Sequence, residues 1–150
     1  MDGSTNTFEV LSMNKTHVWN NTCNSVPNLP QKLHRGRYSK MTVLSTGILI
    51  CGGSKNPKNA CSMLRKSDNK WIDFDKMITG RVEHSMTSIN DHPIVVGGYS
   101  SGALSSTEIY EDNKFKLVND VPVMVRYACL EPLNKDSAIL LGGLQNERVS

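Results

Sequence analysis

The sequence has no long apolar stretch and almost no imbalance of charge. Its apolar runs, such as residues 48–51 and 138–141, are far shorter than the roughly 20 residues that a membrane-spanning helix requires. Lysine and arginine together number 17 and aspartate and glutamate 14, so the formal net charge is only +3. Binding to nucleic acid would call for a broader basic stripe with interleaved aromatic side chains. We therefore expect neither a membrane nor a nucleic-acid partner.

The chain also lacks the motifs of metal centres and of common catalytic sites. Its four cysteines include no Cys-x-x-Cys pair, which argues against a zinc site. Cys51 and Cys129 fall in strands of the predicted core, where a free cysteine packs as a small buried group, and we expect the cysteines to be reduced. The four histidines lie in separate segments, and no serine occupies a G-x-S-x-G turn. The sequence predicts no cofactor, no metal and no catalytic residue.

The first residues of the chain show no targeting signal. Residues 1–4 carry no basic side chain and are not followed by an apolar core, whereas a secretory signal has both. We expect a cytoplasmic protein.

What the sequence does contain is an internal repeat. Three Gly-Gly pairs recur at equal intervals of 45 residues, and each pair ends a short apolar run. Fixed-period similarity of this kind is typical of repeat architectures. The three pairs are Gly52 and Gly53, Gly97 and Gly98, and Gly142 and Gly143.

Each repeat is predicted to form four antiparallel strands. The apolar runs are too short for helices and rich in β-branched residues, which favours buried strands. Polar turns rich in Asn, Asp and Gly separate neighbouring strands, as hairpins require. We predict full four-stranded units at residues 37–74 and 82–118, flanked by partial units at residues 7–20 and 126–143.

The order of landmarks resembles the kelch repeat. In that family an arginine and a short strand precede an apolar strand that ends in Gly-Gly, after which come a Glu-x-Tyr strand and a tryptophan. In the first repeat Met63 and Leu64 stand near the usual Glu and Tyr positions, and Trp71 follows them, while Trp19 is assigned the same packing role in the N-terminal partial unit. The second repeat carries Arg81, His84, Ser85, Gly97, Gly98, Glu108 and Tyr110, with Phe115 at the tryptophan position.

The resemblance implies an all-β fold, a segment of a kelch-type β-propeller with two full blades flanked by two partial blades. Kelch propellers usually have six or seven blades. We therefore expect the chain to be a fragment of a longer propeller, a truncated gene product or a piece completed by oligomerisation. Its outer sheets would then expose apolar faces and unpaired edges, which promote aggregation, so we expect poor solubility for the chain alone.

The resemblance further implies a protein-interaction module rather than an enzyme. Kelch propellers commonly bind a protein or peptide through loops at one edge, often as substrate receptors of cullin ubiquitin ligases, and others bind actin. The alternative is a kelch-type enzyme acting on sugars, an oxidase or a mutarotase. Because Arg35, Arg81 and Arg126 recur in phase, a structural role for these arginines is left open beside binding. Our candidate partner-binding residues are Arg37, Asn56, Arg81, Tyr99, Ser100 and Arg126, since arginine grips carboxylates and tyrosine and serine give adaptable contacts.

Overall fold

A computed structural model describes residues 11–13, 19–21, 27–30 and 36–146, and all regular secondary structure in these ranges is β. Two four-stranded antiparallel sheets dominate the fold, as predicted. Sheet I comprises the four strands between residues 40 and 74, and sheet II comprises the four strands between residues 85 and 118. The strands are β1 (Leu11–Met13), β2 (Trp19–Asn21), β3 (Lys40–Leu44), β4 (Gly47–Cys51), β5 (Cys61–Arg65), β6 (Lys70–Phe74), β7 (Ser85–Ile89), β8 (His92–Val96), β9 (Thr107–Glu111), β10 (Lys114–Val118), β11 (Met124–Arg126), β12 (Cys129–Asn134), β13 (Ser137–Leu141) and β14 (Leu144–Asn146).

The remaining strands form three two-stranded pairs. β1 pairs with β2, β12 with β13, and β11 with β14, all antiparallel. The predicted C-terminal partial unit ends at residue 143, but the third repeat continues with a further strand. Leu144–Asn146 pairs with Met124–Arg126 as an antiparallel strand. The second repeat has the same pairing in a shorter form, the antiparallel bridge between Val82 and Tyr99.

Tight turns set the hairpin register. Asn90 and Asp91, between β7 and β8, have φ angles of 51° and 67°, and Asp112 and Asn113, between β9 and β10, have φ angles of 51° and 60°. Two successive positive φ angles are the signature of the type I′ turn, which Asn and Asp tolerate and which matches the twist of paired strands. The sequence therefore determines these hairpins locally.

The sheets pack through their first strands, and β7 contacts both β3 and β12. Leu49 and Val95, on the second strands of the two sheets, are fully buried in one core cluster, while a second cluster joins Val125 and Leu130 to Val96 of sheet II. The Ser85 hydroxyl donates a hydrogen bond to the Ala128 carbonyl oxygen at 2.6 Å. Each repeat is thus fastened to the next near its first strand.

The first two Gly-Gly pairs lie where neighbouring repeats touch. Gly52 has a φ angle of 68°, and a Cβ placed there would lie 2.5 Å from His84 Cε1 and 2.6 Å from the Arg81 carbonyl oxygen. The next glycine, Gly53, donates its N–H to that same oxygen at 3.1 Å, as Gly98 does to the Val125 oxygen at 2.8 Å. Only a residue without a side chain permits this approach.

Sheet I contains a disulfide between Cys51 and Cys61, so the prediction of reduced cysteines is wrong for this pair. The two residues end β4 and begin β5, and the register places them directly opposite each other, with their Cα atoms 4.1 Å apart. The loop between them brings Cys61 back beside Cys51, and their separation of 10 residues in the sequence did not indicate this proximity. Cys129 is free but exposed, because it occupies the opposite face of β12 from the buried Leu130; the expectation of burial is wrong there too. Cys23 lies outside the described residues.

Sheet II contains a buried ion pair instead. Arg81 Nη2 lies 2.5 Å from Glu108 Oε1, and both side chains are completely buried. Arg81 Nη1 also donates to the carbonyl oxygens of Gly97 and Ser106, while Glu108 accepts the N–H groups of Ile78 and Thr79. Desolvation lowers the pKa of Arg81, and the Glu108 carboxylate opposes that shift.

The strand register also corrects the alignment of the two repeats. Ser62 pairs with Ile50 in sheet I as Glu108 pairs with Val95 in sheet II. Ser62, rather than Met63, is therefore equivalent to Glu108, and Leu64 is equivalent to Tyr110.

Several large apolar side chains are exposed on the first strands at the two ends of this array. Val43 on β3 is 70% exposed and Leu133 on β12 is 67% exposed. In the described part of the chain, no helix occurs that could cross a membrane.

Candidate binding surface at the loop edge

Three residues at equivalent positions of successive repeats share a strained backbone. Tyr38, Glu83 and Tyr127 each precede the first strand of a repeat, with φ angles of 63°, 58° and 58°. The backbone N–H of Glu83 donates a hydrogen bond to the backbone carbonyl oxygen of Tyr38 at 3.3 Å, and the backbone N–H of Tyr127 donates to the backbone carbonyl oxygen of Glu83 at 2.8 Å. Positive φ angles in residues other than glycine, asparagine or aspartate are uncommon and concentrate at functional sites. The chain thus holds these three side chains together at one edge.

The side chains of this edge form a compact group, which we call the tyrosine–arginine cluster: Tyr38, Glu83, Tyr99, Arg126 and Tyr127. The rings of Tyr38 and Tyr127 meet edge to face, with centroids 6.2 Å apart. The Arg126 guanidinium lies 5.5 Å from the Tyr99 ring centroid and 5.9 Å from that of Tyr127, within the range of cation–π attraction.

Arg126 is held loosely by its acidic neighbour. Its Nη1 is 3.5 Å from Glu83 Oε2, a distance beyond that of a good hydrogen bond. A hydrogen bond to Glu83 raises the pKa of Tyr127, so the carboxylate is shared between the arginine and the phenol. The guanidinium therefore keeps the capacity to bind a carboxylate from outside.

The cluster presents aromatic surface to solvent. Tyr38, Tyr99 and Tyr127 are 49%, 37% and 46% exposed. Tyrosine offers a large rigid contact area with a polar end and is enriched in binding surfaces. Exposed rings around a partly buried cation suit recognition of a ligand that carries both an apolar group and an anion.

The predicted partner-binding residues divide between this cluster and other places. Tyr99 and Arg126 belong to it, and Ser100 follows Tyr99 in a tight turn in which its N–H donates to the Gly102 oxygen. Arg37 is exposed beside Tyr38, and its N–H donates to Ser54 Oγ at 3.0 Å. Asn56 is exposed and precedes a cis proline. In the described residues no hydrogen bond or ion pair joins Asn56 to the cluster.

The prediction that Arg81 contacts a partner is wrong. Its side chain is 0% exposed and its Nη1 and Nη2 atoms bond to groups of sheet II, so no partner reaches it. The recurrence of an arginine in each repeat left a structural role open beside binding. The structure shows that structural role for Arg81, which forms the buried ion pair with Glu108.

The two tryptophans lie on strands β2 and β6. The Trp71 indole N–H donates to the Pro27 oxygen at 2.8 Å, which ties sheet I to the chain that precedes it. Trp19 begins β2.

Sequence reasoning missed Tyr38, Glu83 and Tyr127 as a group. Each stands just before a first strand, in phase with the others, but tyrosine and glutamate carry no signal of positive φ. A search for polar or aromatic residues at that repeat position would have found them.

The chain shares its fold with a solved structure described as the structure of YjhT. The TM-score is 0.71 at 16% sequence identity, over 93% of this chain and 46% of that one. The chain thus spans about half the length of this structural neighbour. No protein-family model matches the sequence, and no curated protein matches it either.

Proposed function

We propose that the chain is part of a kelch-type β-propeller that binds a protein partner through the tyrosine–arginine cluster. The observation that carries the proposal is the convergence of Tyr99, Arg126 and Tyr127 from two repeats on one exposed edge. The in-phase glycines, the two equivalent four-stranded sheets and the packing of β3, β7 and β12 support the propeller arrangement.

The partner's contact segment has an acidic side chain next to an apolar one. The carboxylate would pair with Arg126, whose planar guanidinium binds carboxylates in a bidentate manner. The apolar side chain would lie against the tyrosine rings. Large aromatic residues and arginine supply most of the binding energy in such surfaces.

The test is a peptide library displayed on phage and selected against the full chain. Recovered peptides should be enriched in Asp or Glu adjacent to apolar residues. Anisotropy titrations of labelled peptides should show at least about a tenfold loss of affinity for Arg126→Ala and for Tyr99→Ala, the range of interface hot spots. The matched control is Lys135→Ala, because Lys135 is a highly exposed cation on a hairpin turn. Peptides that bind Arg126→Ala as well as the unmodified chain would contradict the proposal.

The proposal includes further sheets beside those described, supplied by a longer chain or by a second copy. The exposed apolar side chains of Val43 and Leu133 support it, because repeat units bury their faces only against neighbours. Light scattering combined with thermal melting tests this part: a monodisperse monomer that melts cooperatively speaks against it. In the described residues nothing favours the ubiquitin-ligase, actin or sugar-enzyme alternatives over general protein binding.

A further inference from the structure

A cleft of about 630 Å³ lies between sheets I and II. It opens at the edge of the hairpin turns, where β3 joins β4 and β7 joins β8, whereas the tyrosine–arginine cluster is built from the segments before the first strands and after the second strands. Ligand sites in proteins are clefts of roughly 300–1,000 Å³ with mostly apolar linings and a few placed polar groups. The cleft has this size and this kind of lining.

The apolar wall of the cleft comes from both sheets. Met63 and Phe74 contribute from sheet I, and Pro93 and Tyr110 from sheet II. The Phe74 and Tyr110 ring centroids are 4.7 Å apart, and the Phe115 ring also packs against Tyr110, with centroids 5.1 Å apart. Phe74 and Tyr110 line the cleft and offer aromatic surface against which a planar group can stack, while Phe115 supports Tyr110 from the buried core.

Hydrogen bonds between the two sheets fix the walls of the cleft relative to each other. Asp91, in the β7–β8 turn, accepts the Ser45 N–H at 2.7 Å and the Ser45 hydroxyl at 2.6 Å. The Tyr110 hydroxyl donates to Asp75 at 2.6 Å, and burial together with that contact raises the Tyr110 pKa to about 12. The walls are therefore preorganised, which reduces the ordering needed on binding.

The polar groups at the mouth of the cleft favour an anion. Arg65 and Lys66 both line it. Arg65 is paired with Asp68 through its Nε and Nη2 atoms, while within the described residues no hydrogen bond or ion pair engages the Lys66 ammonium. Asp91 is the acidic residue of the lining, and its oxygens are turned to Ser45. A ligand entering here meets one unpartnered cation beside an aromatic wall.

We propose that this cleft binds a small molecule with a planar aromatic group and a single carboxylate. The aromatic group stacks against Phe74 and Tyr110, and the carboxylate pairs with Lys66 at the mouth. This site is separate from the protein-binding surface and does not depend on it.

The probes for the test are 2-naphthoate and its cationic counterpart 2-naphthylmethylammonium, titrated into the ¹⁵N-labelled full chain. The two molecules share the ring system and differ in the sign of their charge. We expect 2-naphthoate to bind with Kd on the order of 10⁻⁴ to 10⁻³ M, as its size allows. Its shifts should be confined to amides around Met63, Lys66 and Tyr110, and the ammonium should bind several-fold more weakly.

The deciding variant is Lys66→Glu, which reverses the charge at the mouth and should weaken 2-naphthoate at least about threefold while strengthening the ammonium. The matched control is Lys135→Glu, a charge reversal on another hairpin turn, which should change neither affinity. Thr46→Trp, a second variant at the mouth, should block both probes, with its melting temperature as the check on folding.

Three outcomes would overturn the proposal: shifts that map outside the cleft, equal affinity for the two probes, or an unchanged 2-naphthoate affinity in Lys66→Glu. The variant Arg126→Ala distinguishes this site from the protein-binding surface, because it should weaken peptides and leave 2-naphthoate binding as it is.

Discussion

Sheets I and II have the same strand order but are fastened by different chemistry at the same place. In sheet I the end of β4 and the start of β5 are joined by the Cys51–Cys61 disulfide. In sheet II, Arg81 bridges the corresponding strand ends by donating to the Gly97 and Ser106 carbonyl oxygens. The repeated backbone therefore does not require one particular cross-link at this junction.

The disulfide acts mainly on the unfolded state of the chain, and the ion pair acts on the folded state. A disulfide stabilises mainly by restricting the unfolded ensemble. A buried ion pair acts in the folded state, where its attraction offsets the desolvation of two charges, and removal of one partner leaves the other charge uncompensated. The two sheets should accordingly respond to different perturbations.

The largest effect is expected from breaking the ion pair of sheet II. Glu108→Gln leaves the Arg81 guanidinium buried without its counter-charge and should lower the free energy of unfolding by about 3–5 kcal/mol, measured by urea denaturation. Glu111→Gln is the control on the same strand, because Glu111 forms only an exposed pair with Lys116 and should lose less than about 1 kcal/mol. A Glu108→Gln variant as stable as this control would show that the pair is dispensable.

The second-largest loss of stability is expected from removing the disulfide of sheet I. Cys51→Ala combined with Cys61→Ala should lower the free energy of unfolding by about 2–3 kcal/mol, since the disulfide closes a short loop with a sequence separation of 10. Reductant should destabilise the unmodified chain by a similar amount and leave the double variant unchanged. If reductant affects both proteins equally, the disulfide is not the source of the stability.

An effect of acid is expected where the two sheets meet. His84 is fully buried beside Gly52, and neither ring nitrogen has a hydrogen-bond partner among the described residues. Burial, with a smaller contribution from Arg81, lowers its pKa from 6.5 to about 3.

His84 is thus neutral in the folded state, and unfolding below pH 6.5 takes up a proton. Stability is complete above pH 6.5 and falls as the pH drops toward 3, by about 2 kcal/mol between pH 7 and pH 5. Urea denaturation at both pH values should show this loss for the unmodified chain. His84→Leu should remove most of it, and an unchanged pH dependence in that variant would assign the effect elsewhere.

The smallest effect distinguishes equivalent glycines. Gly52→Ala and Gly142→Ala both place alanine at a φ angle near 67°, given values of 68° and 66°, but only Gly52 faces atoms of the next repeat. Overpacking against His84 and the Arg81 oxygen should make Gly52→Ala less stable than Gly142→Ala by about 1–2 kcal/mol, measured as the difference in urea midpoint. Equal losses would mean that another sheet covers Gly142 in solution.

The local features of sheets I and II could be predicted because hairpins depend on nearby residues. The polar turns at Asn90 and Asp112 and the short apolar runs before each Gly-Gly pair were enough to place four strands per repeat. The cross-links were not predictable in this way. Cys51 and Cys61 are opposite each other only because the intervening loop returns, and Arg81 reaches Glu108 only through the packed interior of sheet II.

The candidate site was predictable only in part. Tyr99 and Arg126 were identified from their loop positions, but nothing in the sequence indicated that the Arg126 guanidinium lies over the Tyr99 ring. The cluster is completed by Tyr38, Glu83 and Tyr127, which backbone hydrogen bonds link from repeat to repeat and whose residue types do not indicate their positive φ angles.

The sequence by itself determined the repeat period, the hairpins and the glycines at which repeats approach each other, since these depend on turn geometry and on the alternation of apolar residues along short segments. The tertiary structure decided which arginine is buried, which cysteines are bonded and which tyrosines gather around a cation. Those outcomes depend on distances between residues far apart in the chain, and such distances are set only when neighbouring sheets pack.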